Sequence, residues 1–143
     1  RDQIEIEVHI DENLPKIECR EQELQQVLLN LIVNAKDALN TKIGEHKEYK
    51  RVIIRASETR LVGNICGIRI TVEDNGAGIP EAIQERIFDP FFTTKNRAEG
   101  TGLGLSISYS IIKEHNGELR FDTKEGEYTK FYIDLPLSHK LNS

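Results

Sequence analysis

The stretch Glu21–Leu39 reads EQELQQVLLNLIVNAKDAL, and its periodicity decides what kind of layer it forms. At about 100° per residue, Val27, Leu24, Ala38, Leu31, Ala35, Leu28, Leu39 and Ile32 fill a broad apolar arc of one helix. Glu23, Asn30, Asn34 and Asp37 fall together in a narrow stripe beside that arc, and Leu29 and Val33 lie on the stripe's far side. Polar groups flanked by apolar residues on both sides are expected to form a pocket wall, not a solvated face. Amides and carboxylates lose hydration when buried, so the stripe needs a partner. The helix alone leaves two partners open. One is a hydrogen-bond network to neighbouring backbone. The other is Mg²⁺, for which an amide oxygen is a neutral hard ligand while phosphate supplies the negative charge.

Working outward, IEIEVHI (Ile4–Ile10) alternates apolar and polar residues and predicts a half-buried strand. RVIIRAS (Arg51–Ser57) and ICGIRITVED (Ile65–Asp74) predict two strands with a turn at Val62–Asn64. Pro80 suits the first turn of a short helix through Ile87. Phe88–Gly104 has no sustained period and predicts a long loop, in which Phe88, Phe91 and Phe92 act as anchors. Leu103–His115 is helical, stopped by Asn116-Gly117. ELRFDT and TKFYIDL then make a hairpin around Glu125–Glu127. Strands carrying one helical layer give an α/β two-layer sandwich, with a mixed, mostly antiparallel sheet covered on one face by helices.

With 143 residues, 1–143 is expected to be a single domain with a real core. A net charge of −5 with both signs interspersed argues against nucleic acid or an anionic membrane as the main partner. The longest apolar run, Val27–Val33, is broken by Asn30 and is too short to span a bilayer. The charged, strand-like opening Arg1–Ile10 shows no signal-peptide pattern, and without an initiating Met the chain is expected to be a piece of something longer. Cys19 and Cys66 read as two reduced thiols, and His9, His46, His115 and His139 are too scattered for a zinc cluster.

Two glycine-rich stretches carry chemistry. EDNGAGIP leaves a strand directly; Asp74 can accept a hydrogen bond there, while Gly76 and Gly78 permit close approach or a positive φ. An ordinary Asp-Asn-Gly turn is the alternative reading. GTGLGLS (Gly100–Ser106) enters a helix, where free N–H groups and the positive dipole end form an anion site. It lacks the Gly-Lys-Ser/Thr of a Walker A loop, and no βαβ unit surrounds it. Lys95 and Arg97, in the loop just before, read either as solvated surface charges or as cations beside that phosphate site.

Taken in order, QVLLNLIVNAKDAL, DNGAGI, FDPFFTTK and GTGLGLS resemble the N box, first glycine box, F box and second glycine box of sensor histidine kinase catalytic domains, in the superfamily shared with gyrase, heat-shock chaperone and mismatch-repair ATPases. The resemblance covers nearly the whole chain. It implies that Asn34 coordinates Mg²⁺, that Asn30 lines the triphosphate side, and that these two are the catalytic positions. It implies that Asp74 accepts the adenine exocyclic amine, that Gly76, Gly78 and Ile79 shape that end, and that Thr129 supports the base through water. Gly100, Thr101, Gly102, Leu103, Gly104 and Leu105 would cradle phosphates under an ATP lid spanning about Thr93–Thr101. Asp37, Phe92, Thr94, Lys95 and Arg97 complete the implied nucleotide-binding set.

Position 30 separates branches of that superfamily, because gyrase-type ATPases place a general-base glutamate one turn before the metal asparagine. Asn30 cannot take a proton near neutral pH, so the resemblance implies a protein histidine kinase that holds Mg-ATP for transfer to a histidine and hydrolyses it poorly. The implied partners are ATP or ADP, the phosphoacceptor-histidine dimerisation domain of the same protein, and a response regulator receiver domain; a homodimer is expected only for the full-length kinase, in the cytoplasm. None of the four histidines has the family's acceptor context, so this chain alone is expected to bind nucleotide without autophosphorylating. Cys19-Arg20 departs from the acidic residue relatives often carry. Two rival readings remain at this point: a gyrase-like or chaperone-like ATPase with steady turnover, and a non-catalytic nucleotide-binding module.

Overall fold

The computed structural model describes residues 4–41, 50–92 and 104–137. In chain order these form β1 (Ile4–Ile10), α1 (Glu21–Thr41), β2 (Lys50–Leu61), β3 (Ile65–Asp74), a short 3₁₀ helix (Glu81–Arg86), α2 (Gly104–Glu114), β4 (Glu118–Lys124) and β5 (Tyr128–Pro136). The strands make one five-stranded sheet in the order β1-β2-β3-β5-β4. β1 is parallel to β2 and every other neighbouring pair is antiparallel, so the sheet is mixed as the strand patterns predict.

One sheet face is apolar and carries both helices. Val52, Val72, Phe131, Ile133, Leu135 and Leu119 present that face, and α1 covers it with Val27, Leu31, Ala35 and Leu39. α2 adds Ile112 and packs beside α1 and over β4. The opposite face is polar and held by charge pairs, of which the bidentate Arg69–Asp134 contact at 2.7 and 3.1 Å is the best formed. α2 stops where Asn116 adopts φ 62° and Gly117 N–H returns to Ile112 O at 2.9 Å, a left-handed C-terminal cap.

Three expectations need correction. β1 is not half buried: Ile6, Val8 and Ile10 are 52, 56 and 62% exposed. They share the helix-bearing face with Val52 and Ile54, but β1 is the sheet's edge and α1 sits over β2 and β3. Leu29 and Val33, 55 and 45% exposed, lie outside the packed arc, so the polar stripe has an apolar wall on one side only. Phe91 is not an anchor: it turns outward at 73% exposure with φ 68°, whereas Phe88 packs among Tyr109, Phe121 and Phe131.

The turn leaving β3 is clamped from both sides. A Cβ at Gly76 would lie 2.6 Å from the backbone carbon of Ala38 and 2.7 Å from Leu39 N, atoms that move only if α1 moves. Gly76→Ala is therefore expected to destabilise the chain by about 1–3 kcal/mol, the usual penalty of forced overpacking, read as a lowered midpoint in thermal unfolding.

Candidate nucleotide site

α1 is the spine of the candidate site, because its stripe faces the start of α2 at one end and the β3 turn at the other. Asn30 sits at the α2 end. Its Nδ2 donates to Gly104 O and to Ser108 Oγ, each at 3.1 Å, and its Oδ1 accepts from Gln26 Nε2 at 2.8 Å. A carbonyl can only accept, so the amide's orientation is forced, and both of its N–H bonds are used. The hydrogen-bond network left open by the helix pattern is thus realised at Asn30. Ser108, fully buried on α2, and Gln26 are members that the sequence reading missed; a serine inside an otherwise apolar helix face was the available signal.

Asn34, one turn on, differs. It is half buried and makes no hydrogen bond to the described residues. A neutral amide oxygen that no described residue claims, beside a helix that begins at a glycine box, fits a cation bound chiefly through phosphate. Asp37 follows on the same stripe, half buried and engaged within the protein.

About 12 Å along α1 from Asn30, Ala38 O accepts Ala77 N–H at 3.0 Å. This ties the second end of the site to the same helix. Asp74 is 3% exposed and its Oδ1 accepts Gly76 N–H at 2.8 Å, closing the turn on itself. Asn75 Oδ1 accepts Arg51 N–H at 2.9 Å, and Ala77 O accepts Gly126 N–H from the β4–β5 hairpin. Gly78 has φ 73°, where a side chain would also run into Lys124 backbone. Protein backbone approaches both Gly76 and Gly78, and Gly78 has the positive φ that the sequence motif offered as one of its two readings.

Strand register puts three side chains in one row on the helix-bearing face. Asp74 stands opposite Thr129 across β3 and β5, and Thr129 stands opposite Thr123 across β5 and β4. Thr123 Oγ1 accepts Ile79 N–H at 3.0 Å, donates to Tyr128 O at 2.8 Å, and lies 2.9 Å from Thr129 Oγ1. The sequence reading named Thr129 and Ile79 and missed Thr123, which ties them together. Phe92 is half buried under the Arg86 guanidinium, 4.6 Å from its ring centroid. Gly104 opens α2 and Leu105 packs on the core. Thr94, Lys95, Arg97, Gly100, Thr101, Gly102 and Leu103, and with them the lid, lie outside the described residues.

The geometry therefore offers two ends on one rigid helix: an amide and a helix N-terminus suited to phosphates and a cation, and an acceptor row suited to a base. The family profile for histidine kinase-, DNA gyrase B- and HSP90-like ATPases matches residues 19–139. The sensor histidine kinase ZraS of Escherichia coli is 38% identical over 136 residues, covering 95% of this chain and 27% of that protein. The nucleotide-free catalytic domain of histidine kinase ThkA superposes with a TM-score of 0.75 at 32% identity, covering 95% of this chain and 82% of that one. Full-length ShkA in complex with AMPPNP gives 0.76 at 26% identity, covering 99% of this chain and 27% of that one. This chain thus spans about a quarter of the length of ZraS.

Proposed function

This chain belongs to the histidine kinase-, DNA gyrase B- and HSP90-like ATPase family and is a histidine kinase ATPase catalytic domain, and from that premise we propose that it holds Mg-ATP for transfer of the γ-phosphate to a histidine on a dimerisation domain of the same protein, which in turn supplies a response regulator. The observation that carries this reading is the division of labour between two asparagines one turn apart. Asn30 is spent on holding α2 against α1, and Asn34 has an amide that no described residue claims. Mg²⁺ bound there with the phosphates would neutralise charge that builds as the γ-phosphoryl departs.

Each remaining role belongs to the chain's own groups. The start of α2, with its positive dipole end, would face the phosphates, helped by Lys95, Arg97 and the rest of the second glycine box. Asp74 receives the adenine amine, and the pinned turn Asp74–Ile79 keeps that acceptor in place before ligand arrives. No side chain at position 30 can take a proton from water, so the domain stores ATP for an acceptor brought from elsewhere, which suits a transferase in the cytoplasm.

Asn30→Asp tests the position directly. A carboxylate placed there would face Gly104 O and lose both donated hydrogen bonds. It is expected to lower stability by about 1–3 kcal/mol without raising the rate of phosphate release, because α2 shifts before a base can act. Steady ATP turnover by the variant, measured by phosphate release, would favour a gyrase-like hydrolase instead.

A further inference from the structure

The proton on Thr129 can be located by elimination. A threonine hydroxyl has one hydrogen to give and two lone pairs. Thr123 gives its hydrogen to Tyr128 O, since a carbonyl can only accept, and spends one lone pair on Ile79 N–H. The 2.9 Å contact between the two hydroxyls must then use the remaining lone pair of Thr123. Thr129 is the donor in that contact, so what it turns toward Asp74, its cross-strand neighbour, is lone pairs only.

We infer that Thr123 is a specificity-positioning residue: it fixes Thr129 as an acceptor, so that the base end of the site presents acceptors alone and selects a 6-amino purine over a 6-oxo purine. The inference rests on the adenine-nucleotide reading above and adds to it the residue that sets the polarity. A carboxylate at Asp74 and an acceptor at Thr129 together suit an amino group, and the oxygen of hypoxanthine would meet lone pairs on both sides. A water between Thr129 and the ring would be turned the same way. It gives one hydrogen to Thr129 and directs the other at N1, an acceptor in adenine and a donor in hypoxanthine. Thr123 is half buried and Thr129 is 2% exposed, so bulk water does not readily reset this arrangement.

The test compares Kd values for ATP and ITP by titration calorimetry in Mg²⁺, for the wild-type chain, Thr123→Val and Thr123→Ser. Valine keeps the volume and releases the Thr129 hydroxyl to rotate and donate. The ITP-to-ATP ratio of Kd values is expected to fall roughly tenfold in Thr123→Val and to stay at the wild-type value in Thr123→Ser. If Thr123→Val weakens both nucleotides alike and leaves the ratio in place, Thr123 is a structural tie only and the inference fails. Thr129→Val, which leaves Thr123 holding Ile79 and Tyr128, gives a second reading should Thr123→Val not fold. It too must lower the ratio, and an unchanged ratio overturns the inference. Absence of ATP binding by the wild-type chain would overturn both this and the nucleotide reading, whereas an unchanged ratio with intact binding overturns this alone.

Discussion

Asn34→Ala is expected to weaken ATP binding in Mg²⁺ by at least about 100-fold while leaving the fold intact, or slightly more stable. The two halves of that result have separate causes. Asn34 has no hydrogen bond to the described residues, so its removal orphans none of them, and alanine is the better helix former by up to about 0.7 kcal/mol. Binding falls because the cation would lose its protein ligand; even a group that only supports a metal ligand commonly carries 10–100-fold in affinity. Titration calorimetry and a thermal melt on the same samples check both halves. A variant that loses stability and binding together would show that Asn34 belongs to the same structural network as Asn30.

Asp74→Asn is the second large effect. Asparagine retains the Oδ1 that accepts Gly76 N–H at 2.8 Å, so the turn is expected to survive. In the proposed pose the base donates to Asp74, and there the substitution would set an NH₂ donor where an acceptor is needed. ATP affinity is expected to drop by about 100-fold or more, because a site built to pair one hydrogen-bonding group rejects its opposite strongly. ITP should lose much less, so the preference between the two narrows or inverts. Equal losses for both nucleotides, measured by competition against a fluorescent ADP analogue, would remove Asp74 from base recognition.

How the site is shared among residues depends on contacts that run far along the chain. The helical arc of α1 and the strand pattern follow from local periodicity, and the order of the four boxes was legible through the resemblance to the kinase family. The different hydrogen bonding of Asn30 and Asn34 was not: periodicity puts both in one stripe, and Asn30 is set apart by Gly104 and Ser108, 74 and 78 residues away. Thr123 looked like an ordinary alternating strand residue until the β4–β5 register set it opposite Thr129. Gly76 and Gly78 were read as close approach or a positive φ; Gly78 has the positive φ, and the backbone that crowds Gly76 is that of Ala38 and Leu39, far off in the chain. The exposure of Ile6, Val8 and Ile10 was hidden for a similar reason, since alternation reports which face a side chain takes and not whether a helix reaches over it.

The proposed role of Asn34, whose amide no described residue claims, is to serve a nucleotide that arrives with its cation. It is tested most directly by titrating ATP into the unmodified chain, once with Mg²⁺ and once with EDTA. Clear binding is expected in Mg²⁺ and is expected to be largely lost in EDTA, with the chelated wild type behaving as Asn34→Ala does in Mg²⁺. Equal affinity in the two buffers would contradict it.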